Sequence, residues 1–310
     1  MLKVLLSSAG AKVPMLEAVR GAARRLAADA VVVAGDMDPD AVSQYVADEF
    51  WLMPATTDAH KDAILAQLIA RGITHVIPSR DGELLFWAQW SSQLITHGIT
   101  VLCASADAIG VCLDKLAFAA TSRLVIPTYL DAEQVEAPLL VVKERYGAGS
   151  QSLQLKVTKA QATAHAKTLS QPIFQPFIAG REISIDAWLD SNYQVKGHSY
   201  RYREVVKQGE SQITQTVSLP QFDSVIKSML SALRLCGPVV LQAIIDQQHQ
   251  LHIIECNSRF GGASTLGIKA GVDSMFWSLA QSLGDDLAAY PYYPSPSPIR
   301  QVRIARDLYL

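Results

Sequence analysis

Three side chains with metal-binding oxygen atoms lie on one predicted hairpin: Gln242, Glu255 and Asn257. The apolar runs Val239–Ile245 and Leu251–Ile254 predict the two buried strands of this hairpin. Because Glu255 and Asn257 are two residues apart, an extended chain places them on the same face. Such oxygen ligands suit Mg²⁺, which usually binds one or two carboxylates together with nucleotide phosphates. The pattern therefore predicts a Mg²⁺ site at the end of the second strand.

An arginine follows the predicted metal ligands. Arg259 comes two residues after Asn257, where a guanidinium can neutralise phosphate charge through paired hydrogen bonds. Gly261 and Gly262 then allow the backbone to approach a ligand closely. The alternative interpretation is a surface hairpin whose Glu, Asn and Arg face water, as most charged side chains do.

The order E-x-N-x-R after a buried strand, with a Gln on the strand before it, resembles the ATP-grasp superfamily. This group includes biotin carboxylase, the large chain of carbamoyl-phosphate synthetase and D-alanine–D-alanine ligase. The resemblance implies that Gln242, Glu255 and Asn257 hold Mg²⁺, with Mn²⁺ as an alternative ion, and that ATP is the nucleotide. It also implies a catalytic contact between Arg259 and the terminal phosphate. Ser258 departs from the family, which usually has Pro at this position.

Two lysines and a glycine-rich segment resemble the family's phosphate-binding parts. Lys115 belongs to a D-K-x-x-F pattern, and Lys143 ends a predicted strand. A glycine-rich loop can point its backbone N–H groups at phosphate oxygens without side-chain obstruction. The resemblance therefore assigns ATP binding to Lys115, Lys143, Gly147, Gly149 and Ser150. The alternatives are a solvated Asp-Lys pair on a helix and an ordinary hairpin loop.

The segment after residue 174 has the spacing of the family's adenosine-binding hinge. The resemblance places Gln175 beside the adenine amino group, the backbone of Ile178 against the ring, and Glu182 on the ribose hydroxyls. Phe177 and Ile178 are apolar and can cover a purine. Gln175 stands where the family commonly has Glu, but it keeps an acceptor oxygen. An ordinary turn with an exposed Glu is the alternative.

Basic residues follow the next predicted strand pair. Arg203 and Lys207 are candidates for a catalytic clamp on the transferred phosphoryl group or on a substrate carboxylate. A charged edge strand that faces water is the competing interpretation.

The first third of the chain alternates strand and helix signals, which predicts a parallel sheet with helices on both faces. Ligands of such sheets bind at loops after the strands, here Ser7–Gly10 and Pro78–Glu83, although the first can be a plain tight turn and Asp81 can cap a helix. Neither GxGxxG nor GxxxxGK[ST] occurs. The predicted strands are Val4–Leu6, Val31–Ala34, His75–Ile77 and Ile99–Leu102, and the helices are Met15–Ala28, Asp58–Ala70 and Glu83–Thr96.

The whole chain is expected to combine α/β and α+β classes, with a Rossmann-like parallel sheet followed by a two-subdomain ATP-grasp fold. The expected division is 1–104 for the Rossmann-like domain, 105–124 for linker helices, 125–178 for the small subdomain and 179–310 for the large one. Outside the hairpin, the predicted strands are Leu139–Val142, Pro172–Phe177, Glu182–Leu189, Gln194–Tyr202 and Ile299–Leu310, and the predicted helices are Lys159–Leu169, Pro220–Leu235 and Asp273–Leu283.

Composition excludes several classes of protein. The 310 residues are 49% hydrophobic and 18% charged, with a formal net charge of −2. This near-neutral balance gives no electrostatic argument for nucleic acid or an anionic membrane. The four cysteines are scattered without a CxxC pair, so we expect reduced thiols in a cytoplasmic protein. No apolar run approaches the roughly 20 residues that span a bilayer, and the start lacks a signal-peptide pattern.

The resemblance implies a ligase that activates a substrate carboxylate as an acyl phosphate for attack by an amine or similar nucleophile. The expected partners are a small carboxylate and a small amine, with a homodimer as one option for the oligomeric state. Two alternatives stay open at this point. One is a phosphotransferase that acts on a carboxylate or carbamate without amide formation, and the other is a non-catalytic, ATP-binding regulatory protein.

Overall fold

The computed structural model describes residues 1–147, 152–207 and 209–309. Its strands form three sheets, of five, six and three strands. The predicted combination of a parallel sheet with antiparallel sheets is confirmed.

The N-terminal sheet is parallel, with the strand order β3-β2-β1-β4-β5. Its strands are β1 Lys3–Ser7, β2 Val31–Asp36, β3 Glu49–Leu52, β4 His75–Pro78 and β5 Thr100–Val101. Its helices are α1 Val13–Leu26, α2 Lys61–Ala70 and α3 Asp81–Ile95. Strand β3 was not predicted from the sequence. It is a four-residue edge strand with one buried side chain, and so short a run shows little alternation of apolar and polar residues.

The central position of β1 in the sheet explains why its middle residues, Val4–Leu6, are apolar. All five of its residues are buried, since helices cover both faces of the sheet. Helix α1 buries Met15, Leu16, Val19 and Ala22 at the spacing of one helix face. This arrangement brings the loops after β1 and β4, adjacent strands of the sheet, to the same edge.

Two short helices connect this sheet to the rest of the chain: α4 Ala106–Leu113 and α5 Lys115–Ala119. Each begins with a side-chain cap. Ser105 accepts a hydrogen bond from Ala108 N, and Asp114 accepts from Leu116 N and Ala117 N.

The three-stranded sheet has the order β7-β6-β8 and is covered by one helix. Its elements are β6 Leu140–Glu144, β7 Gln154–Val157, α6 Lys159–Ala166 and β8 Pro172–Pro176. Lys143 lies within β6 rather than after it, and β7 was not predicted from the sequence.

The six-stranded sheet is antiparallel, with the order β13-β12-β9-β10-β11-β14. Its strands are β9 Gly180–Leu189, β10 Val195–Lys207, β11 Glu210–Val217, β12 Gly237–Asp246, β13 Leu251–Asn257 and β14 Arg300–Val302. The helices of this region are α7 Asp223–Ala232, α8 Thr265–Lys269 and α9 Ser274–Ser282. The predicted hairpin is β12 and β13, joined antiparallel.

Two predicted elements are too long. The predicted strand Ile299–Leu310 pairs with β11 only over Arg300–Val302, and residues 304–309 are exposed. The predicted helix Pro220–Leu235 is helical as α7 over Asp223–Ala232, after one 3₁₀ turn. It stops before Arg234, whose φ of 53° is incompatible with a continuing helix.

Candidate active site

One face of the six-stranded sheet is polar where β9, β10, β12 and β13 run side by side. Strand register sets Ser184 of β9 opposite both Arg201 and Gln242, and Gln242 opposite Glu255. Side chains on the other face, such as Ile183 and Ile185, are fully buried in the core. Alternation along each strand therefore directs one set of side chains into the core and the other into the site.

Glu255 is the centre of the polar face. Its Oε1 accepts from Gln242 Nε2 at 2.8 Å and from Asn257 Nδ2 at 3.2 Å. Glu255 and Asn257 thus lie on the same face, as the two-residue spacing predicts. No hydrogen bond among the described residues uses Glu255 Oε2. One carboxylate oxygen is therefore left for a cation or a ligand.

Arg203 extends this network from β10. Its Nη1 donates to Gln242 Oε1 at 2.7 Å and forms a salt bridge with Glu182. Its Nη2 donates to Gly209 O at 2.6 Å. Arg203 therefore links Glu182 to the pair Gln242–Glu255, and it orients the Gln242 amide so that the NH₂ group faces Glu255.

Arg259 faces the N-terminal sheet. Its Nε donates to Asp81 Oδ1 at 2.7 Å and its Nη2 to Asp81 Oδ2 at 2.5 Å. A longer contact of 3.4 Å runs from Nη2 to Asn257 Oδ1. Asp81 is the first residue of α3, so this two-point contact joins the first domain to the end of β13. The sequence did not reveal the pair, because its members are 178 residues apart.

Two buried lysines add positive charge near Glu255. Burial lowers the pKa of Lys143 to about 8, while the negative charge of Glu255 opposes that shift and the charge of Lys115 adds to it. Burial likewise lowers the pKa of Lys115, against the carboxylates of Glu255 and Asp81. Lys115 Nζ donates to Gly147 O at 2.7 Å, so it contacts the glycine-rich segment directly. Both lysines therefore lie within electrostatic range of Glu255.

Asp114 anchors the start of the glycine-rich segment. It receives hydrogen bonds from Arg145 Nε at 2.7 Å and from Tyr146 OH at 3.0 Å. The Arg145 hydrogen bond is the main reason that the pKa of Asp114 falls to about 2. The Asp114-Lys115 pair is buried, which rules out the alternative of a solvated pair.

The predicted adenosine-binding residues lie where β8 leads into β9. Gln175 is buried, and its Nε2 donates to Thr128 Oγ1 at 2.7 Å. Phe177 and Ile178 are half-buried, which leaves apolar surface for a flat ring. Gly180 follows, and a Cβ there would lie 2.4 Å from Ile245 O. Only glycine allows this crossing, which brings the hinge onto the large sheet.

Among the described residues, one predicted site residue is not joined to this group. Lys207 is exposed near the tip of the β10–β11 hairpin, and it forms no hydrogen bond or salt bridge with the other candidates in the described chain. Gly149 and Ser150 lie outside the described residues. Gly147 has a φ of 110°, a conformation that favours glycine.

The donor set fits a hard divalent cation. It has one carboxylate, a neighbouring Asn amide and the supporting Gln242, which matches the preference of Mg²⁺ for few protein ligands completed by phosphates. No group of three or more His, Cys, Asp or Glu residues among the described residues could hold a metal by itself. The cation would therefore depend on ligand oxygens in addition to those of the protein.

Family models match most of the chain. The model of the ATP-grasp domain matches residues 112–263. The model of the PylC-like N-terminal domain matches residues 4–102. No curated protein matches the sequence.

Solved structures with this fold include two biotin carboxylases and a synthetase. The biotin carboxylase domain of 2-oxoglutarate carboxylase from Hydrogenobacter thermophilus, a dimer solved with MgADP, ADP and bicarbonate, is 18% identical with a TM-score of 0.72; the match covers 92% of this chain and 70% of that one. N5-carboxyaminoimidazole synthetase from Staphylococcus aureus, complexed with ADP, is 16% identical with a TM-score of 0.72, covering 92% and 78%. Biotin carboxylase from Campylobacter jejuni, in complex with β-γ-ATP, is 16% identical with a TM-score of 0.69, covering 95% and 72%.

Among the described residues, no helix is both long enough and apolar enough to cross a membrane.

Proposed function

The chain belongs to the ATP-grasp superfamily, and on that basis we propose that it is an ATP-dependent ligase that joins a small carboxylate to an amine or similar nucleophile. ATP and Mg²⁺ are the proposed nucleotide and metal, bound between the small unit 125–178 and the large unit 179–310. The relatives solved with ADP, MgADP and β-γ-ATP support this choice.

One observation carries the proposal: Glu255, Asn257 and Arg259 form one hydrogen-bonded group beside Lys115 and Lys143. A carboxylate and a triphosphate repel each other, so any protein that brings them together must offset a large negative charge. This group supplies three cationic side chains, and the carboxylate and amide oxygens can add a divalent cation. Positioning and electrostatics can then account for most of the catalysis of phosphoryl transfer.

The proposed nucleotide contacts are made by the hinge and by the two lysines. Phe177 and Ile178 cover the purine, and Glu182 accepts from the ribose hydroxyls. Lys115 and Lys143 bind phosphate oxygens, together with Gly147, Gly149 and Ser150. Glu255 and Asn257 would hold the metal and Gln242 would support them, and the metal would supply positive charge to offset that of the phosphates.

In the first step, an oxygen of the substrate carboxylate attacks the terminal phosphorus, the bond to the bridging oxygen breaks, and ADP leaves. Arg259 stabilises the transferred group, and its contact with Asp81 keeps the guanidinium directed towards it. Arg203 supports the site through Gln242 and Glu182. Lys207, exposed near the hairpin tip, is proposed as an additional cation.

In the second step, the amine attacks the carbonyl carbon of the acyl phosphate, inorganic phosphate leaves, and the amine loses one proton. No side chain forms a covalent bond to the substrate. Exclusion of water during this step protects the acyl phosphate, and the proposed role of the glycine-rich segment is to provide that exclusion. No comparison supports the alternatives of a phosphotransferase or a regulatory binder.

The test is ADP formation from MgATP with a panel of amino acids, small carboxylic acids and bicarbonate, each alone and in pairs. Bicarbonate is included because the H. thermophilus domain was solved with it. We expect ADP release that requires one acid and one amine together. Release with one acid alone would instead favour the phosphotransferase, and ATP binding without release would favour the regulatory binder.

The matched controls are Glu255→Ala and Glu136→Ala. Glu255→Ala removes the only carboxylate of the predicted metal site and should lower substrate-dependent ADP release by at least about 100-fold. Glu136 is an exposed carboxylate outside the site, so its loss should leave the rate unchanged. Equal activity of the two variants would contradict the proposal.

A further inference from the structure

A second group of charged side chains lies at the edge of the N-terminal sheet, where β1 and β4 end. Lys12 precedes α1, and its Nζ donates to Ser79 O and to Ser79 Oγ, both at 2.8 Å. Arg80 is exposed beside it, and its Nε lies 3.4 Å from Ser8 Oγ. Among the described residues, neither Lys12 nor Arg80 forms a salt bridge with a carboxylate.

The nearby carboxylates are occupied by other donors. Glu83 is fully buried and accepts from Ser7 Oγ, from the N–H groups of Ser79 and Arg80, and from Trp87 Nε1. Asp36 accepts from Gly10 N at 2.6 Å and from Asp38 N. Asp81 holds Arg259 at two points. The positive charges of Lys12 and Arg80 therefore lack a dedicated counterion at this edge.

The loop after β1 is built to present side chains rather than backbone amides. Ala9 N donates to Gly35 O and Gly10 N to Asp36, so these amides cannot bind a phosphate. Ser8 has a φ of 53°, in the left-handed region that a residue other than glycine seldom adopts. Strain of this kind persists where the surrounding structure holds it, and it is common at ligand sites. Here it turns the Ser8 hydroxyl towards Arg80.

We propose that Lys12 and Arg80 form a subsite that binds a carboxylate of the substrate other than the one that is activated. The proposal rests on the ligase function above and adds a substrate class: at least one of the two substrates carries a further anionic group. The activated carboxylate must lie beside the terminal phosphate, near Glu255 and Asn257. Lys12 and Arg80 hydrogen-bond only with the N-terminal domain in the described structure, whereas Glu255 and Asn257 belong to β13 of the six-stranded sheet.

Charge around Lys12 supports this assignment. Burial lowers the pKa of Lys12 to about 8, and the neighbouring cations Arg259 and Arg80 lower it further. The carboxylates of Glu83 and Asp36 act in the opposite direction, and they do not cancel the effect of burial. A bound anion would favour the charged form of Lys12 and raise its pKa. Affinity for the anionic substrate should therefore fall as the pH rises through about 8, where free Lys12 loses its proton.

The first test compares pairs of substrates in the steady state, using the acid and amine that give turnover. Each amino acid is paired with the matching amine that lacks the α-carboxylate, and each dicarboxylic acid with its monocarboxylic analogue. Lys12→Met and Arg80→Leu should raise KM for the compound with the extra carboxylate by about 10- to 100-fold, the range of a charge-assisted hydrogen bond. KM for ATP and for the shorter analogue should stay unchanged.

Lys12→Arg and Lys167→Met are the controls. Lys12→Arg keeps the charge and should restore a low KM that no longer rises above pH 8, because a guanidinium stays protonated. Lys167 is an exposed lysine elsewhere on the surface, and its loss should change nothing. An active enzyme whose KM is unchanged in Lys12→Met and Arg80→Leu overturns the subsite and leaves the ligase function standing.

A second measurement does not depend on turnover. Trace acylation of the wild-type protein at about pH 8, analysed by peptide mass spectrometry, should label Lys12 faster than Lys167 because a larger fraction of Lys12 is unprotonated. Acetate and succinate should protect Lys12 and leave Lys167 labelled. Protection by inorganic phosphate, but not by acetate or succinate, would show that the subsite binds a phosphate group and not a carboxylate. If none of the three anions protects Lys12, the subsite is overturned. If an anion protects Lys12 but no substrate pair in the panel gives turnover, only the ligase function is rejected.

Discussion

At the level of single residues, burial decides how the lysines of the site respond to pH. Lys143 is almost entirely buried and has a pKa of about 8, so a fraction of it is neutral in the free protein. Bound phosphates favour the charged form, because opposite charges attract strongly in a site shielded from water. The affinity for ATP should therefore depend on pH well below the usual range of a lysine.

Calorimetric titration with MgATP between roughly pH 6.5 and 9.5 tests this expectation. The dissociation constant of the wild-type protein should rise as the pH passes about 8. Above that pH, ATP either meets a neutral amine or binds only after Lys143 takes up a proton, and both weaken binding. In Lys143→Arg the constant should vary little over the same range, because the guanidinium stays charged. Parallel curves for the two proteins would show that Lys143 does not bind the phosphates.

Asp81 sets the orientation of Arg259. The two charged hydrogen bonds between them, at 2.7 and 2.5 Å, keep the guanidinium at the end of β13. In Asp81→Asn the amide offers one acceptor instead of two and carries no charge. We expect kcat to fall by about 10- to 100-fold, with KM for ATP within about twofold of the wild type.

The matched control for that variant is Asp62→Asn, an exposed position on α2. Steady-state rates of both variants with the active substrate pair give the comparison. If kcat of Asp81→Asn equals that of Asp62→Asn, Asp81 does not position a catalytic group. A change in KM for ATP alone would place Arg259 in nucleotide binding and not in phosphoryl transfer.

At the level of elements, Asp114 joins the start of α5 to the glycine-rich segment. Its carboxylate caps the helix and also receives Arg145 and Tyr146. Asp114→Ala should lower the free energy of unfolding by about 1–3 kcal/mol and raise KM for ATP, because Arg145 and Tyr146 lose their attachment. Urea unfolding and ATP kinetics measure the two effects.

Ser105→Ala separates the two roles of Asp114. Ser105 caps α4 only, so its loss should lower the free energy of unfolding by about 1 kcal/mol and leave KM for ATP unchanged.

The stability that Asp114 contributes should also depend on pH. The pKa of Asp114 is depressed to about 2, so its stabilising effect is complete above the unfolded pKa of about 3.8 and is lost as the pH falls through 2. A stability difference between the wild type and Asp114→Asn that shrinks already above pH 5 would contradict this assignment.

The sequence predicted the hairpin well because two signals agree there. Apolar runs marked β12 and β13, and the two-residue spacing of Glu255 and Asn257 set their common face. The strand β11 was not predicted although Ile213, Thr214, Thr216 and Val217 have strand-forming side chains, a signal that polar neighbours obscured. The Asp81–Arg259 pair could not be predicted, because only the packing of two domains brings these distant residues together.

The surroundings of Lys12 likewise depend on residues that are distant in sequence. Its position after the first predicted strand was visible, but nothing nearby in sequence indicated burial or the contact with Ser79, 67 residues away. Parallel order in the sheet creates that contact by placing β4 next to β1. Residue types and strand spacing therefore indicate a candidate site on one hairpin, whereas a candidate site between parallel strands that are distant in sequence requires the sheet topology.

At the level of the whole molecule, the N-terminal sheet and the ATP-grasp part share a core. Val4 and Leu6 of β1 belong to the same buried cluster as Trp188 of β9 and Trp277 of α9. Helices α1 and α9 pack together, and Arg25 forms a salt bridge with Asp273 at 2.5 Å. An interface formed by fully buried aromatic and aliphatic side chains favours unfolding of both parts together.

Differential scanning calorimetry of the whole chain should therefore show one transition, and MgATP should shift it to higher temperature by mass action. Trp277→Ala should lower the stability by about 3–5 kcal/mol and should keep a single transition. Exposed Tyr309→Ala should have no measurable effect. Two separate transitions in the wild-type protein would show that the domains do not fold as one unit.

The most direct test of the central claim follows an oxygen atom from the substrate carboxylate. The acid that supports turnover is labelled with ¹⁸O in its carboxyl group, incubated with MgATP and the amine, and the inorganic phosphate is analysed by mass spectrometry. Activation as an acyl phosphate transfers one carboxylate oxygen to phosphorus, so the account predicts one ¹⁸O atom in each phosphate released. Phosphate without label, formed at the rate of ligation, would contradict attack by the carboxylate at the site built around Glu255.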